Sequence, residues 1–209
     1  MGALPYSYIW SRVWAGAVRR GGIMKRWAWF LLLWGQAAWA SCPSLLNYTV
    51  PGLMGGEINL CQYADKPVLV VNTASHCGFT PQFTQLESLY KQYGPRGLVV
   101  IGFPSNDFFQ ELDKPSEIGA FCQANYGVTF PMAGKGHVRG GDAQPFFKAL
   151  IAATDDAPMW NFHKYLILPG ASKVLSIGTR TKPDAAEVVD AFLPYLKPAA
   201  AQSATSPQP

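Results

Sequence analysis

Acidic residues are absent from the first 40 residues of this 209-residue chain, although five basic side chains occur there. The formal charge of +4 therefore originates in this segment, because the rest of the chain holds 12 basic and 13 acidic residues. Because residues 41–209 are close to neutral, their charge gives no reason to expect a nucleic-acid partner. The five basic residues point instead to a role of the N-terminal segment itself.

Long apolar runs are also missing. The most apolar stretch, residues 27–34, is far shorter than the roughly 20 residues that span a membrane. It follows two basic residues and precedes small residues ending at 38–40 (AWA), which is the order of a secretory signal peptide. We predict a targeting segment over 1–40 with a signal peptide at 24–40, and no stable membrane insertion after cleavage.

Cysteine is scarce, with four in the whole chain, and the predicted export gives these residues a context. An exported protein, which we expect in the periplasm, folds in an oxidising compartment where thiols pair. Cys42 and Cys61 flank a segment containing glycine and proline, and we predict a structural disulfide between them. Two unpaired thiols are the alternative. For the N-terminal segment, an uncleaved anchor or a lipoprotein attached at Cys42 are alternatives to cleavage.

The periodicity of apolar residues predicts an α/β domain over 41–197. Runs at 67–73 and 98–103 are typical of buried strands, and 81–93 has helical spacing between them. This order closes as a right-handed crossover between parallel strands. We further predict helices at 116–126, 143–152 and 184–196, a hairpin of 165–168 with 173–177, and a disordered tail at 198–209.

Cys77 lies in a polar, glycine-containing segment between the first predicted strand and the following helix. We expect its thiol in the first turn of that helix, where unpaired backbone N–H groups stabilise an anion. The thiolate is the nucleophilic form of cysteine. A buried cysteine that packs as a small apolar side chain is the alternative, but the adjacent Gly78 and the polar loop argue against it.

Three segments carry a resemblance to a known family. Residues 72–80 (NTASHCGFT) resemble the peroxidatic motif of the glutathione peroxidase family, with Thr73 in place of its usual valine. Residues 102–108 (GFPSNDF) and 160–166 (WNFHKYL) are similar to its second and third motifs, in the same order. The resemblance implies a thioredoxin-like fold, with a central mixed sheet flanked by helices.

The resemblance also implies a catalytic tetrad of Cys77, Gln110, Trp160 and Asn161, whose amide and indole groups donate hydrogen bonds around the sulfur. One residue separates Phe108 from Gln110, so the loop is one residue shorter than in the family. The implied activity is reduction of hydrogen peroxide or organic hydroperoxides through a sulfenic acid, without a cofactor. A thioredoxin-type dithiol or glutathione is the implied reductant.

Cys122 is a candidate resolving cysteine, which would form a disulfide with oxidised Cys77. The family position for such a residue aligns with Gln123, and a shift of one residue turns a helical side chain by about 100°. A buried helical cysteine without a catalytic role is the alternative.

Two other functions compete with the peroxidase. A thiol-disulfide oxidoreductase of the same fold uses Cys-x-x-Cys, whereas Thr80 occupies the second cysteine position here. A noncatalytic peroxide sensor would use the same Cys77 chemistry without repeated turnover.

Overall fold

A computed structural model describes residues 41–198. The predicted targeting segment, including the signal peptide, and all but the first residue of the predicted tail lie outside the described residues. Between residues 41 and 198, no helix combines the length and the apolar character needed to cross a membrane.

The described residues form six strands and four α-helices in an α/β arrangement. The strands are β1 (Thr49–Pro51), β2 (Glu57–Asn59), β3 (Val68–Thr73), β4 (Val99–Pro104), β5 (Lys164–Ile167) and β6 (Val174–Ile177). The helices are α1 (Gln82–Tyr93), α2 (Pro115–Tyr126), α3 (Pro145–Thr154) and α4 (Ala186–Phe192).

Four strands form the central sheet in the order β4-β3-β5-β6. Strands β3 and β4 are parallel and α1 connects them, as predicted from the sequence. Strand β5 is antiparallel to β3, and β6 is antiparallel to β5, so the hairpin prediction is also confirmed. Every residue of β3 and β4 is buried, as expected for apolar runs covered on both faces.

Side chains of β3 alternate between two apolar clusters, one on each face of the sheet. Leu69 and Val71 enter a cluster with α1, α2 and α4, and this cluster includes both Cys77 and Cys122. Val68 and Val70 enter the other cluster, with α3 and the N-terminal arm. The two free cysteines therefore share one side of the sheet.

The outer edge of β4 is covered by a short extended segment. The Gly102 N–H donates to the Pro131 carbonyl at 3.0 Å, and the Ala133 N–H donates to the Gly102 carbonyl at 2.8 Å. A side chain at position 102 would collide with the Met132 sulfur, so the absence of a Cβ at Gly102 leaves room for the Met132 side chain.

Two elements differ from the sequence predictions. The helix predicted over 184–196 ends at Phe192, and a 3-10 turn, Leu193–Tyr195, follows. Pro194 has no backbone N–H and cannot continue an α-helix. The hairpin of β1 and β2 was not predicted, because each strand has only three residues and its outward side chains are exposed.

Cys42 and Cys61 are joined in a disulfide, as predicted, with their Cα atoms 5.6 Å apart. Cys42 belongs to the N-terminal arm, and Cys61 to the 3-10 helix Leu60–Tyr63 that follows β2. Close to the bond, Leu46 and Leu60 are fully buried in the same apolar cluster. The disulfide therefore fixes the arm to the sheet domain.

Candidate active site

Cys77 lies in the turns that connect β3 to α1 and is 5% exposed. The helix begins at Gln82, after the N-cap residue Pro81, so the thiol is not in its first turn as expected. The reason is a preceding turn in which the Thr80 N–H and hydroxyl both donate to the Cys77 carbonyl, at 3.0 and 2.8 Å. The Phe79 N–H donates to the Cys77 sulfur at 3.4 Å. A turn amide, and not the helix terminus, therefore contacts the sulfur.

Gln110 reaches the neighbourhood of Cys77 despite the shortened loop. Phe109 adopts a left-handed backbone conformation, with φ of 59°, and its N–H closes a turn on the Asn106 carbonyl at 2.9 Å. The Gln110 carbonyl then accepts a hydrogen bond from the His76 N–H at 2.9 Å, next to Cys77 in the chain.

Asn161 and Gln110 are in direct contact. The Nδ2 atom of Asn161 donates to Oε1 of Gln110 at 2.9 Å, and Asn161 is fully buried. The Oδ1 atom of Asn161 is buried without a hydrogen-bond partner in the described part of the chain. Because the bond from Asn161 uses only the Gln110 oxygen, the Nε2 donor of Gln110 remains available to a substrate.

Trp160 is positioned through its backbone and its ring. Its carbonyl accepts a hydrogen bond from Nδ2 of Asn72, at 3.1 Å, and its ring packs against Phe108 with centroids 5.3 Å apart. Its exposed fraction of 42% is high for a tryptophan, so solvent or a substrate can reach its indole group. Asn72 is the next-to-last residue of β3, so the strand end that leads to Cys77 also holds Trp160.

The structure thus brings Gln110, Trp160 and Asn161 to the same edge of the sheet, beside the Cys77 turn. It does not direct the expected side-chain donors at the sulfur. Within residues 41–198, the Phe79 amide is the one donor to Sγ of Cys77, and the Asn161 amide is bound to Gln110 instead.

Sequence analysis missed Glu111, whose carboxylate is buried beside the site. Its Oε1 accepts from the Ser75 N–H at 3.0 Å, the Ser75 hydroxyl at 2.5 Å and the Leu112 N–H at 2.9 Å. Burial raises the pKa of Glu111 above its ordinary value, although these hydrogen bonds act in the opposite direction. An acidic residue in a predicted loop carries no signal of burial, so the sequence offered little to find it.

Lys164 was also missed, although it is fully buried on the same side of the sheet as Cys77. Its ammonium donates to Oε1 of Gln82 at 3.0 Å and to the Thr181 carbonyl at 2.5 Å. Burial lowers the pKa of Lys164 to about 8. The Thr179 hydroxyl of the adjoining segment donates to the Asn161 carbonyl at 2.9 Å. The sequence did contain one signal for a buried lysine at this position, because Lys164 belongs to an otherwise apolar strand.

Cys122 lies in α2 and is 3% exposed. Burial, and secondarily the charge of Glu111, raise the pKa of Cys122 to about 12. In this conformation the thiol is therefore protonated and shielded. Its predicted resolving role stays a prediction.

Comparison with known proteins identifies the family. Residues 45–151 match the family model described as glutathione peroxidase. The chain is 40% identical over 152 residues to a hydroperoxy fatty acid reductase, gpx1, of Synechocystis sp. The alignment covers 68% of this chain and 90% of that protein. It is 46% identical over 130 residues to the glutathione peroxidase-like peroxiredoxin GPX5 of Chlamydomonas reinhardtii. That alignment covers 60% of this chain and 80% of that protein.

Solved structures confirm the thioredoxin-like fold. The crystal structure of Trgpx in apo form aligns with a TM-score of 0.57 and 35% identity, covering 74% of this chain and 98% of that chain. A thioredoxin-family thiol:disulfide interchange protein of Chlorobium tepidum aligns with a TM-score of 0.50 and 17% identity, covering 70% of this chain and 92% of that chain. This likeness supports the fold alone. The chain belongs to the glutathione peroxidase family and is a thiol-dependent peroxidase that reduces hydroperoxides.

Proposed function

We propose that Cys77 is the sulfur that reduces the peroxide, and that Gln110, Trp160 and Asn161 surround the reacting oxygen atoms. The observation that carries this proposal is the hydrogen bond from Asn161 to Gln110, which joins loops 51 residues apart beside the Cys77 turn. The bond from the buried Asn161 amide to the half-buried Gln110 side chain orients the free Nε2 donor of Gln110. Trp160, next to Asn161 in the chain, is 42% exposed, and we expect a peroxide to approach past its indole group.

In the first step, the Cys77 thiolate attacks one oxygen of the hydroperoxide. The S–O bond forms as the O–O bond breaks, and the departing oxygen takes a proton and leaves as water or an alcohol. Sulfur is oxidised to a sulfenic acid, and the peroxide is reduced. Donors aimed at the departing oxygen stabilise its developing charge, and this is the role we assign to the Gln110 amide and the Trp160 indole.

Two thiols complete the cycle. The first condenses with the sulfenic acid, releases water and leaves a disulfide on Cys77; the second attacks that disulfide and restores the Cys77 thiol. We favour an external thioredoxin-type dithiol over glutathione, since one molecule supplies both thiols. Burial of Cys122 and its raised pKa favour an external donor over this residue as the first thiol.

Trapping of the sulfenic acid tests the assignment. The reduced full chain is mixed with one equivalent of hydrogen peroxide and a sulfenic-acid reagent, and the adduct is located by peptide mass spectrometry. We expect it on Cys77, absent in Cys77→Ser and retained in Cys122→Ser. An adduct only on Cys122, or peroxide consumption that survives Cys77→Ser, would overturn the assignment.

Turnover separates the peroxidase from the other two functions. Continuous peroxide consumption with a thioredoxin system, faster than with glutathione, is the result expected here. A single turnover with either reductant would favour a sensor. Reduction of insulin disulfides without peroxide would favour a thiol-disulfide oxidoreductase.

We also propose that the chain is exported after cleavage behind Ala40 and acts in the periplasm. The order of basic, apolar and small residues over 24–40 supports this, and so does the Cys42–Cys61 disulfide, because structural disulfides persist in oxidising compartments. Cell fractionation and the mass of the N-terminal peptide test it. We expect Ser41 as the first residue in the periplasmic fraction; an intact N-terminus in the cytoplasm would contradict export.

A further inference from the structure

Glu111 connects the two loops that carry Cys77 and Gln110. Ser75, two residues before Cys77, donates both its N–H and its hydroxyl to Oε1 of Glu111. Glu111 itself follows Gln110 directly in the chain, and its own N–H donates to Oδ1 of Asn106 at 3.1 Å. One carboxylate therefore fixes the start of the Cys77 turn to the end of the Gln110 loop.

Burial makes this connection rigid. Ser75 is 3% exposed and Glu111 is 8% exposed, so water competes little for the carboxylate. Hydrogen bonds to an ionised acceptor are shorter and stronger than those between neutral groups. A buried carboxylate is costly unless its charge is compensated by donors, and Ser75 supplies two of the three donors to Oε1. Loss of these bonds would loosen the Cys77 turn, leaving the hydrogen bond from the His76 N–H to the Gln110 carbonyl to join it to the Gln110 loop.

We propose that Glu111 is a positioning residue of the peroxidase, which holds the Cys77 turn and the Gln110 loop in the arrangement where sulfur and amide act on the same peroxide. The inference rests on the proposed role of Cys77. Glu111 contacts neither the sulfur nor the peroxide. Its contribution is the relative position of two groups that do.

A second buried carboxylate provides a matched control. Glu87 is 4% exposed and accepts from the Thr129 N–H at 2.7 Å and the Thr129 hydroxyl at 2.5 Å, so it also binds both donors of one hydroxyl residue. It lies in α1, and its hydrogen bonds involve no residue of the candidate active site. Glu87→Gln and Glu111→Gln therefore make the same chemical change at a carboxylate that binds both donors of one hydroxyl residue. Glu87 is paired in addition with Lys91 at 3.2 Å, and only Glu111 is beside the Cys77 turn.

The experiment compares two reactions of Cys77 in the full chain. Oxidation by hydrogen peroxide requires the aligned donors, whereas alkylation by iodoacetamide requires the thiolate alone. Both rate constants are measured by peptide mass spectrometry at a temperature where every variant is folded. The quantity of interest is the ratio of the peroxide rate to the iodoacetamide rate, which a uniform loss of stability does not change.

We expect Glu111→Gln to lower this ratio by about tenfold or more, since small misplacements of reacting groups cost up to roughly a hundredfold in rate. Glu87→Gln should leave it within about twofold. Equal ratios in parent and Glu111→Gln, or equal losses in the two variants, would overturn the proposal. Peroxide reduction that persists in Cys77→Ser would instead refute the proposed function, so the two failures are distinguishable.

Ser75→Ala keeps the test decisive if Glu111→Gln does not fold. It removes the hydroxyl donor and leaves the carboxylate and the backbone bond in place. The ratio should then fall by about threefold or more, and adding Ser75→Ala to a folded Glu111→Gln should cause little further loss, because both changes remove one interaction. Thr129→Val, which removes the corresponding hydroxyl from Glu87, is the control. An unchanged ratio in Ser75→Ala would contradict the positioning role.

Discussion

Asn161 donates a hydrogen bond from Nδ2 to Oε1 of Gln110 at 2.9 Å, and the two residues are 51 positions apart in the chain. This contact joins the segment before β5 to the loop after β4. Because it occupies the Gln110 oxygen, it also fixes the orientation of that side-chain amide.

Replacement of Asn161 by alanine should therefore impair the chemical step. Asn161→Ala leaves the Gln110 amide free to rotate, and we expect sulfenic acid formation on Cys77 to slow by about tenfold or more, the scale of losing one aligned donor. Rapid-quench trapping of the adduct measures it. Asn125→Ala is the control, because the Asn125 amide donates to the Phe121 carbonyl within its own helix, α2. Similar rates in the two variants would contradict the role of Asn161.

Phe109→Gly should stabilise the protein. Phe109 has a φ of 59°, a left-handed conformation that is unfavourable for a residue with a side chain, and the residue is 90% exposed. Glycine adopts this conformation readily, so we expect a gain of about 1 kcal/mol in the free energy of unfolding. Denaturant titration gives the value. Phe109→Ala removes the ring but keeps the strain; an equal gain in that variant would show that the ring, and not the backbone, was unfavourable.

The disulfide between Cys42 and Cys61 should contribute about 3 kcal/mol to stability, from the entropy of closing a loop with a sequence separation of 19. Unfolding of the double variant Cys42→Ser/Cys61→Ser should show this loss under oxidising conditions. In the presence of a strong reductant, parent and variant should unfold alike. A difference that persists after reduction would mean that the serine substitutions disturb packing instead.

His137 should make stability depend on pH. Its ring lies 2.5 Å from the Asp107 carboxylate, and this hydrogen bond and charge raise the pKa of His137 above its ordinary value of 6.5. A raised pKa in the folded state contributes stability that is complete below the unfolded value and is lost as pH rises through the folded value. The difference in unfolding free energy between parent and His137→Gln should therefore shrink as pH rises from about 5.5 to about 8.5.

Salt provides the control for that measurement. The His137 side chain is 65% exposed, so its ion pair with Asp107 is accessible to counterions. About 1 M sodium chloride should reduce the pH dependence of the difference. A difference that grows with pH would contradict the assigned direction of the pKa shift.

The central strands were predictable because β3 begins with four apolar residues in succession and β4 is apolar throughout, with β-branched residues in both, a pattern that depends on local sequence. The length of α4 was overestimated, because the apolar stripe continues past Pro194 whereas the α-helical backbone ends at Phe192. The β1–β2 hairpin escaped prediction because three exposed-edge residues per strand produce almost no periodicity.

The candidate site likewise contains residues that the sequence predicted and residues that it did not. The positions of Gln110, Trp160 and Asn161 at one sheet edge followed from motifs in the chain. Burial of Glu111 and Lys164 did not, because it depends on partners 36 and 82 residues away, Ser75 and Gln82, which no local pattern reveals.

The segment that covers the outer edge of β4 has a consequence for self-association. Unpaired strand edges are templates on which a second chain can add a strand and begin an aggregate. The backbone bonds of Gly102 to residues 131 and 133 occupy this template. A larger residue at position 102 would have to displace the Met132 side chain, which belongs to this covering segment. The covering segment thus closes this flank of the sheet to strand addition by a second molecule, at a position inside the second motif.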